Sequence, residues 1–405
     1  MDIALRTMAP DELRRFLEVT EASFGESLPD EVFEDLKHVI DPARSVGAFD
    51  GDKMVGTASA YSLRFTVPGG EVPGAGVSMV GVLPTHRRRG VMTKMMTAQL
   101  AEIRERGEPI ATLWASEDTI YGRFGYGTAT VQALIDIPRH RTQFVDGSPI
   151  SGNFRLVDVE EAAKTFPAVY DTVRGRIPGM FGRSEAWWRH RNLRQPAKDE
   201  GPIFRVLLEH DGEPAGYAVY HVNPKWEKGF SGATVDVREA MAVSTRAQLD
   251  VWKFVFGIDL VESIRTTSFF LPVDHPLQLM LAQPRHLKFM LSNGLWVRIL
   301  DVAAALEART YSADGLLTIG IRDPIFDDVT GAWQMEVSGG RARVEKTAGD
   351  PDLSLGIAEL GCVYLGQFTF ARLAAAGRIE GAAGDVARAD EMWRTDVTPW
   401  CPEIF

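Results

Sequence analysis

Apolar positions near the start of the chain recur at helical spacing. Leu13, Phe16, Leu17 and Phe24 follow the acidic turn Pro10-Asp11-Glu12, which predicts an amphipathic helix over residues 10–24. Val32, Leu36, Val39 and Ile40 predict a second helix over 31–40. Residues 45–49 and 55–65 then read as strands joined at Asp50-Gly51-Asp52, and Pro68-Gly69-Gly70 marks another turn. Every residue from Val77 to Leu83 is apolar or small, as expected of a strand covered on both faces. Gly81 inside it predicts a bulge or a close backbone approach. The basic turn His86-Arg87-Arg88-Arg89-Gly90 follows, and Met92, Met96, Leu100 and Ile103 return to helical spacing. Gly107 caps that helix, Pro109 blocks its continuation, and 110–115 is a further strand.

The segment 138–152, rich in charge, Gly and Pro, reads as a linker. Beyond it the same order recurs weakly. Helices are expected at 158–174 and 184–191, strands at 204–209 and 215–222, and a strand 235–243 running into a helix 244–256. At this second strand-to-helix crossing, Ser244-Thr245-Arg246-Ala247-Gln248-Leu249 has no glycine. A second copy of the first fold that has lost its loop is expected; an unrelated helix-and-sheet domain is the alternative. Trp187, Trp188 and Trp226 read as core or interface aromatics. From Leu295 the pattern gives a strand, a helix at 303–309, strands at 316–321, 331–337, 341–346 and 353–357, then helices at 357–364 and 369–376. The expectation is an α/β (α+β) chain of three domains, 1–140, 150–290 and 291–405.

Composition narrows the classes. With 405 residues, 45 % hydrophobic and 24 % charged, there is material for several cores. The net charge of −11 argues against nucleic acid as a partner, since phosphate neutralisation needs a basic face. It suits attraction of cations, although acidic surfaces also serve solubility. Two cysteines, Cys362 and Cys401, are too few for a disulfide framework, and they point to a reducing compartment. No basic region precedes an apolar stretch after Met1, and no apolar run approaches the ~20 residues of a membrane helix. A cytoplasmic location with no membrane partner is expected.

The chemistry concentrates at residues 86–92. A helix N-terminus presents unsatisfied N–H groups and a partial positive charge, which together bind phosphate. Gly90 frees the backbone to approach, and the arginines add charge-assisted bonds. A solvated basic turn capping a helix accounts for the same residues. Arg87-Arg88-Arg89-Gly90-Val91-Met92 resembles the acetyl-CoA motif of the GCN5-related N-acetyltransferases, departing from it at Met92, where glycine or alanine is usual. That position contributes chiefly its N–H. More closely, residues 83–90 and Ala115-Ser116-Glu117-Asp118-Thr119-Ile120-Tyr121-Gly122-Arg123-Phe124-Gly125-Tyr126-Gly127 are similar to the Eis family of that group.

The resemblance implies two tandem GNAT-like acetyltransferase domains, the first active and the second degenerate. A sterol-carrier-protein-like domain follows, suggested by Tyr364-Leu365-Gly366 and the run 373–379. It implies an acetyl-CoA-dependent N-acetyltransferase acting on amines of aminoglycosides or lysine side chains, with no metal and with self-association as a hexamer. The backbone of Val80, Gly81 and Val82 would run beside the pantetheine arm. Arg88, Arg89, Gly90, Val91, Met92 and Thr93 would hold the pyrophosphate, with Ser116 and Glu117 across the splayed strands. Tyr121 would supply a proton to the departing thiolate while Tyr126 packs. The carboxylate of Phe405 would accept the amine proton, and Glu26 and Glu403 would orient a cationic amine. No cysteine lies in the motif region, so direct transfer in a ternary complex is expected rather than a thiol-bound intermediate. The rival reading is a non-catalytic protein that binds lipid or a cationic drug.

Overall fold

The computed structural model describes residues 3–194, 201–227 and 229–405. They group into two compact units, Met1–Thr130 with Gly294–Pro399 and Phe405, and Val131–Asn293 with Trp400–Ile404.

The first unit opens with a strand that the sequence pattern does not announce. β1 (Ile3–Thr7) buries only Ile3, and it pairs antiparallel with β2 (Ser45–Asp50). Between them lie α1 (Leu13–Phe24), which buries Phe16 and Leu17, and α2 (Asp30–Leu36), shorter than its apolar pattern suggests. β3 (Lys53–Val67) and β4 (Gly70–Val82) continue the antiparallel sheet. α3 (Val91–Glu105) crosses back to β5 (Ile110–Trp114), which runs parallel to β4. α4 (Asp118–Tyr121) and β6 (Gly127–Thr128) follow.

α3 is buried on a broader face than the stripe expected of it. Met96, Leu100 and Ile103 pack with Val77, Ala111 and Leu113, whereas Val91 and Met95 pack with Val55 and Ala58. Met92 is half-buried rather than part of the core. Each fully buried side chain of this size contributes about 1.5–3 kcal/mol of transfer free energy.

The sheet is completed by a strand from far along the chain. Leu295–Ile299 inserts between β5 and β6, pairing antiparallel with both, to give seven strands. Helix Ile357–Tyr364 lies on this strand at Gly361, where a Cβ would come within 2.3 Å of the Val297 carbonyl oxygen. The rest of the unit is a five-stranded sheet ordered Arg341–Thr347, Gly331–Ser338, Gly315–Arg322, Leu353–Gly356 and Glu380–Gly381. Helix Ala383–Trp393, not expected from sequence, follows it. Two arginines are wholly buried here. Arg298 pairs with Asp323 at 2.6 Å, and Arg309 donates to the carbonyls of Tyr364 at 2.7 Å and Trp393 at 2.9 Å.

The second unit has a six-stranded sheet ordered Asp136–Pro138, Ser263–Thr266, Thr234–Ala242, Glu213–Asn223, Ile203–His210 and Asn153–Leu156. Its one parallel pair joins Thr234–Ala242 to Ser263–Thr266, matching β4 and β5. Asp158 caps helix Val159–Arg174 by accepting from the Glu161 N–H. Trp187 and Trp188 are buried as expected; Trp226 is not, its side chain lying exposed on a short hairpin.

Candidate active site

β4 and β5 pair only at Gly74–Ile110, Ala75–Ala111 and Gly76–Thr112. β4 runs on to Val82 and β5 to Trp114, so their backbone groups beyond the last pair are not shared between them. The register between β3 and β4 slips in the same region, and Met79 there adopts φ 56°. The bulge is thus two residues before Gly81. Thr57 donates its hydroxyl to the Met79 carbonyl at 2.9 Å and holds the displaced backbone. Gly81 answers a different need. A Cβ on it would sit 2.8 Å from that of Ser23, so its absence lets the end of α1 close on the strand. Residues 78–80 and 82–83 are only partly buried, because one face of the strand borders a cleft rather than a second layer.

That cleft encloses about 710 Å³. Ser23 and Phe24 form one side, Val80–Val82 the floor, and Arg88, Gly90, Val91, Met92 and Thr93 the basic end. Ser116, Glu117, Ile120, Tyr121 and Arg123 form the opposite wall. Gly90 stands at φ 76° with no neighbour near where a Cβ would be, so glycine serves the left-handed turn and not a close approach. No side chain caps α3, and the N–H groups of its first turn, which have no intrahelical acceptors, border the cleft. The three arginines of the turn divide. Arg87 donates to the carbonyls of Val82 and Ser23, tying α1 to β4. Arg88 lines the cleft, whereas Arg89 is not among its lining residues.

Tyr121 is buried, with its ring 6.1 Å from that of Tyr126 in an edge-on arrangement. Burial raises its pKa above the ordinary tyrosine value; a hydrogen bond with the Ser116 side chain opposes the rise, and the Glu117 carboxylate adds to it. The phenol therefore keeps its proton throughout the neutral range. Tyr126 is more deeply buried, does not line the cleft, and is also raised by burial; its hydroxyl has no hydrogen-bond partner among the described residues. It packs, as expected.

The remaining expected residues lie elsewhere. The Phe405 ring packs on Tyr61 and Phe65 at centroid distances of 6.5 and 6.4 Å. It also abuts Gly76, at the last paired position of β4, where a Cβ would meet the ring at 3.0 Å. Glu26 is exposed just beyond α1, and its carboxylate raises the pKa of Glu21, second to the effect of burial. Glu403 belongs to the second unit. Its carboxylate accepts from Arg183 at 2.5 Å, Trp187 at 3.2 Å and Asn192 at 3.2 Å. Arg183 is buried, pairs also with Glu239 at 2.7 Å, and lies 3.8 Å over the Tyr170 ring. Glu403 is thus held within the fold by a fixed guanidinium, an arrangement that does not leave it to orient an amine.

Sequence reasoning passed over Arg123 and Ser23 as cleft residues. Arg123 sits inside the motif already singled out; Ser23 reaches the cleft only because Gly81 admits α1. At the corresponding crossing of the second unit, Ser244 accepts from the Ala247 N–H at 3.2 Å, so a side chain occupies the helix end that α3 leaves uncapped. Cys362 and Cys401 are buried and not joined in a disulfide, and burial pushes the Cys362 thiol up to about 11. Neither lines the cleft. Among the described residues, no group of three or more His, Cys, Asp or Glu side chains could hold a metal, and no helix is long and apolar enough to cross a membrane.

Splayed strands beside an uncapped helix N-terminus define an acetyltransferase of the GNAT class, and the comparisons agree. Residues 4–129 and 179–299 match acetyltransferase (GNAT) domain models, and residues 302–402 match a sterol carrier protein domain model. The chain is 38 % identical over 371 residues to an uncharacterized N-acetyltransferase of Streptomyces avermitilis, covering 89 % of each. It is 34 % identical over 359 residues to N-acetyltransferase Eis of Mycobacterium tuberculosis, covering 87 % of this chain and 86 % of that one. The crystal structure of Eis1 from Mycobacterium abscessus superposes with a TM-score of 0.85 at 32 % identity over the full length of both chains. The chain belongs to the Eis family of GCN5-related N-acetyltransferases. It is an N-acetyltransferase, two GNAT folds followed by a sterol-carrier-type fold, and the GNAT fold implies an acyl-CoA donor.

Proposed function

We propose that the chain transfers acetyl from acetyl-CoA directly to amines of aminoglycosides or of lysine side chains, in the cleft of residues 1–140. The observation that carries this reading is the cleft itself: bare strand edge at Val80–Val82, free N–H groups at Val91–Thr93, Arg88 at their side and Tyr121 opposite. The pantetheine arm would lie along the strand edge, with the pyrophosphate against Arg88 and the helix end, Arg89 adding charge from outside. Ser116 and Glu117 would bound the arm from the far wall.

In the reaction, the neutral amine nitrogen attacks the thioester carbonyl carbon, the C–S bond breaks as the tetrahedral intermediate collapses, and the thiolate is left needing a proton. The group we assign to meet it is Tyr121, which lines the cleft. Its raised pKa bears on how. A phenol above ~10 facing a thiol near ~8.5 transfers its proton uphill by about 2 kcal/mol or more, so its stabilisation of the leaving sulfur is chiefly that of a hydrogen-bond donor that never ionises at neutral pH. The nitrogen must lose a proton as well. We assign it to the Phe405 carboxylate, directly or through water. A carboxyl near ~3.5 and an ammonium near ~10.4 differ by about 9 kcal/mol, so the proton is taken from the zwitterionic intermediate, whose N–H is far more acidic than that of the free ammonium. Glu26, exposed at the end of α1, supplies negative charge for a polycationic substrate. Assembly as a hexamer and residence in the cytoplasm are part of the same reading.

Initial rates measured at several fixed concentrations of a polyamine against varied acetyl-CoA test direct transfer. Intersecting reciprocal plots are expected. Parallel lines, with an isolable acetylated protein, would overturn the ternary complex.

A further inference from the structure

Arg123 lines the cleft together with Arg87 and Arg88, and no carboxylate among the described residues takes up its charge. In a chain of net charge −11, many arginines end on acids, as Arg44 does on Glu108, Arg104 on Asp328 and Arg189 on Glu160. Arg123 instead extends from the wall that follows α4, beyond Tyr121, toward the opposite side of the cleft. Its Nη2 lies 3.8 Å from Sδ of Met92, the second residue of α3. Its other contact is with the ring of the adjacent Phe124, 5.1 Å away. The guanidinium is exposed, lines the cleft, and is the cation there that comes from the far wall, with Arg87 and Arg88 on the near one. The turn that supplies Arg88 holds it at φ 60°, a left-handed conformation costly for a residue with a Cβ, so that side is built to a fixed geometry.

We propose that Arg123 is a donor-binding residue that closes over the pyrophosphate of the acyl-CoA from the wall facing the helix end. This rests on the acyl-CoA reading of the cleft. A CoA donor brings about four negative charges, and the N–H groups of α3 supply only a partial positive charge. A planar guanidinium with five N–H donors can bridge two phosphoryl oxygens on the side that the helix leaves open. The contact with Met92 fixes which phosphates are meant. A side chain that reaches the first turn of α3 meets the anion seated on that turn. It also explains a methionine where the motif usually has glycine or alanine, since the flexible thioether gives the guanidinium a resting place that a phosphate can replace.

The test compares wild type with Arg123→Gln and Arg123→Lys by calorimetric titration with CoA and with 3′-dephospho-CoA, alongside kcat/KM for acetyl-CoA and for S-acetylpantetheine. Arg123→Gln is expected to weaken CoA and dephospho-CoA equally, by about tenfold, and to lower kcat/KM for acetyl-CoA by a similar factor. The ratio of the two donors' kcat/KM then shifts toward S-acetylpantetheine, and Arg123→Lys recovers part of the loss. A loss seen with CoA and not with dephospho-CoA would move the contact to the 3′-phosphate and overturn the assignment. So would an equal loss with S-acetylpantetheine, which would make Arg123 a support for the wall, or unchanged affinity. Wild type that does not bind CoA at all would overturn the acyl-CoA reading itself, and the role of Arg123 with it.

Discussion

The side chain to which we assign the departing thiolate is Tyr121, and its surroundings set what it can do. Burial and the neighbouring Glu117 favour the neutral phenol, while the Ser116 hydrogen bond partly offsets them. Because the pKa is raised, the proton is present at neutral pH and is lost only above the ordinary tyrosine range. kcat should therefore show no fall below about pH 10 that depends on this residue. Replacing Tyr121 by Phe keeps the ring in its cluster and removes the donor. kcat is expected to drop about 10²–10³-fold with little change in CoA affinity; wild-type turnover in that variant would remove Tyr121 from the reaction. The motif made Tyr121 and the Gly90 turn legible. The fate of single charges was less so. Arg87 and Arg88 are neighbours of one type and both border the cleft, yet only Arg87 is seen tying α1 to β4, and no local pattern distinguishes them. Glu403 looked like a substrate ligand until the structure placed it on Arg183, some 220 residues away in sequence.

Among the elements, periodicity located β2, β3, β5, α1 and α3 within a few residues, because each carries a clear apolar face, but it caught only the second half of β4, which begins at Gly70 rather than Val77. It missed β1, whose single buried side chain leaves no alternation, and helix Ala383–Trp393 near the end of the chain. It assigned Leu295–Ile299 to the start of a third domain; the structure seats that strand in the first sheet, a pairing that depends on a partner some 185 residues distant. The last residues show the same limit. Trp400 sits in the core of the second unit, with Nε1 donating to the Phe270 carbonyl at 2.7 Å, and Glu403 completes the Arg183 pair. A chain shortened by Ile404 and Phe405 alone retains both anchors. Its thermal unfolding midpoint should stay near that of the full chain while acetyl transfer is lost. An active shortened chain would remove Phe405 from the reaction, and a large fall in the midpoint would make those two residues structural.

For the whole molecule, two segments match GNAT domains, but they differ where the strand meets the helix. The first keeps a splayed pair of strands, a left-handed glycine and an uncapped helix end. The second keeps the parallel pair, whose last pairing is Val237 with Thr266 at the end of the shorter strand, yet caps its helix with Ser244. This contrast is visible in sequence as the missing glycine, and it is the reason we propose donor binding in the first fold. We propose that this one cleft uses acetyl-CoA to acetylate cationic amines. That activity is tested most directly by following free thiol released from acetyl-CoA by the full-length protein with an aminoglycoside or polyamine present, paired with the mass of the amine. Thiol release that depends on the amine is expected, matched by a gain of one acetyl group per thiol. Absence of thiol with every amine tried, under conditions where the protein binds CoA, would contradict it.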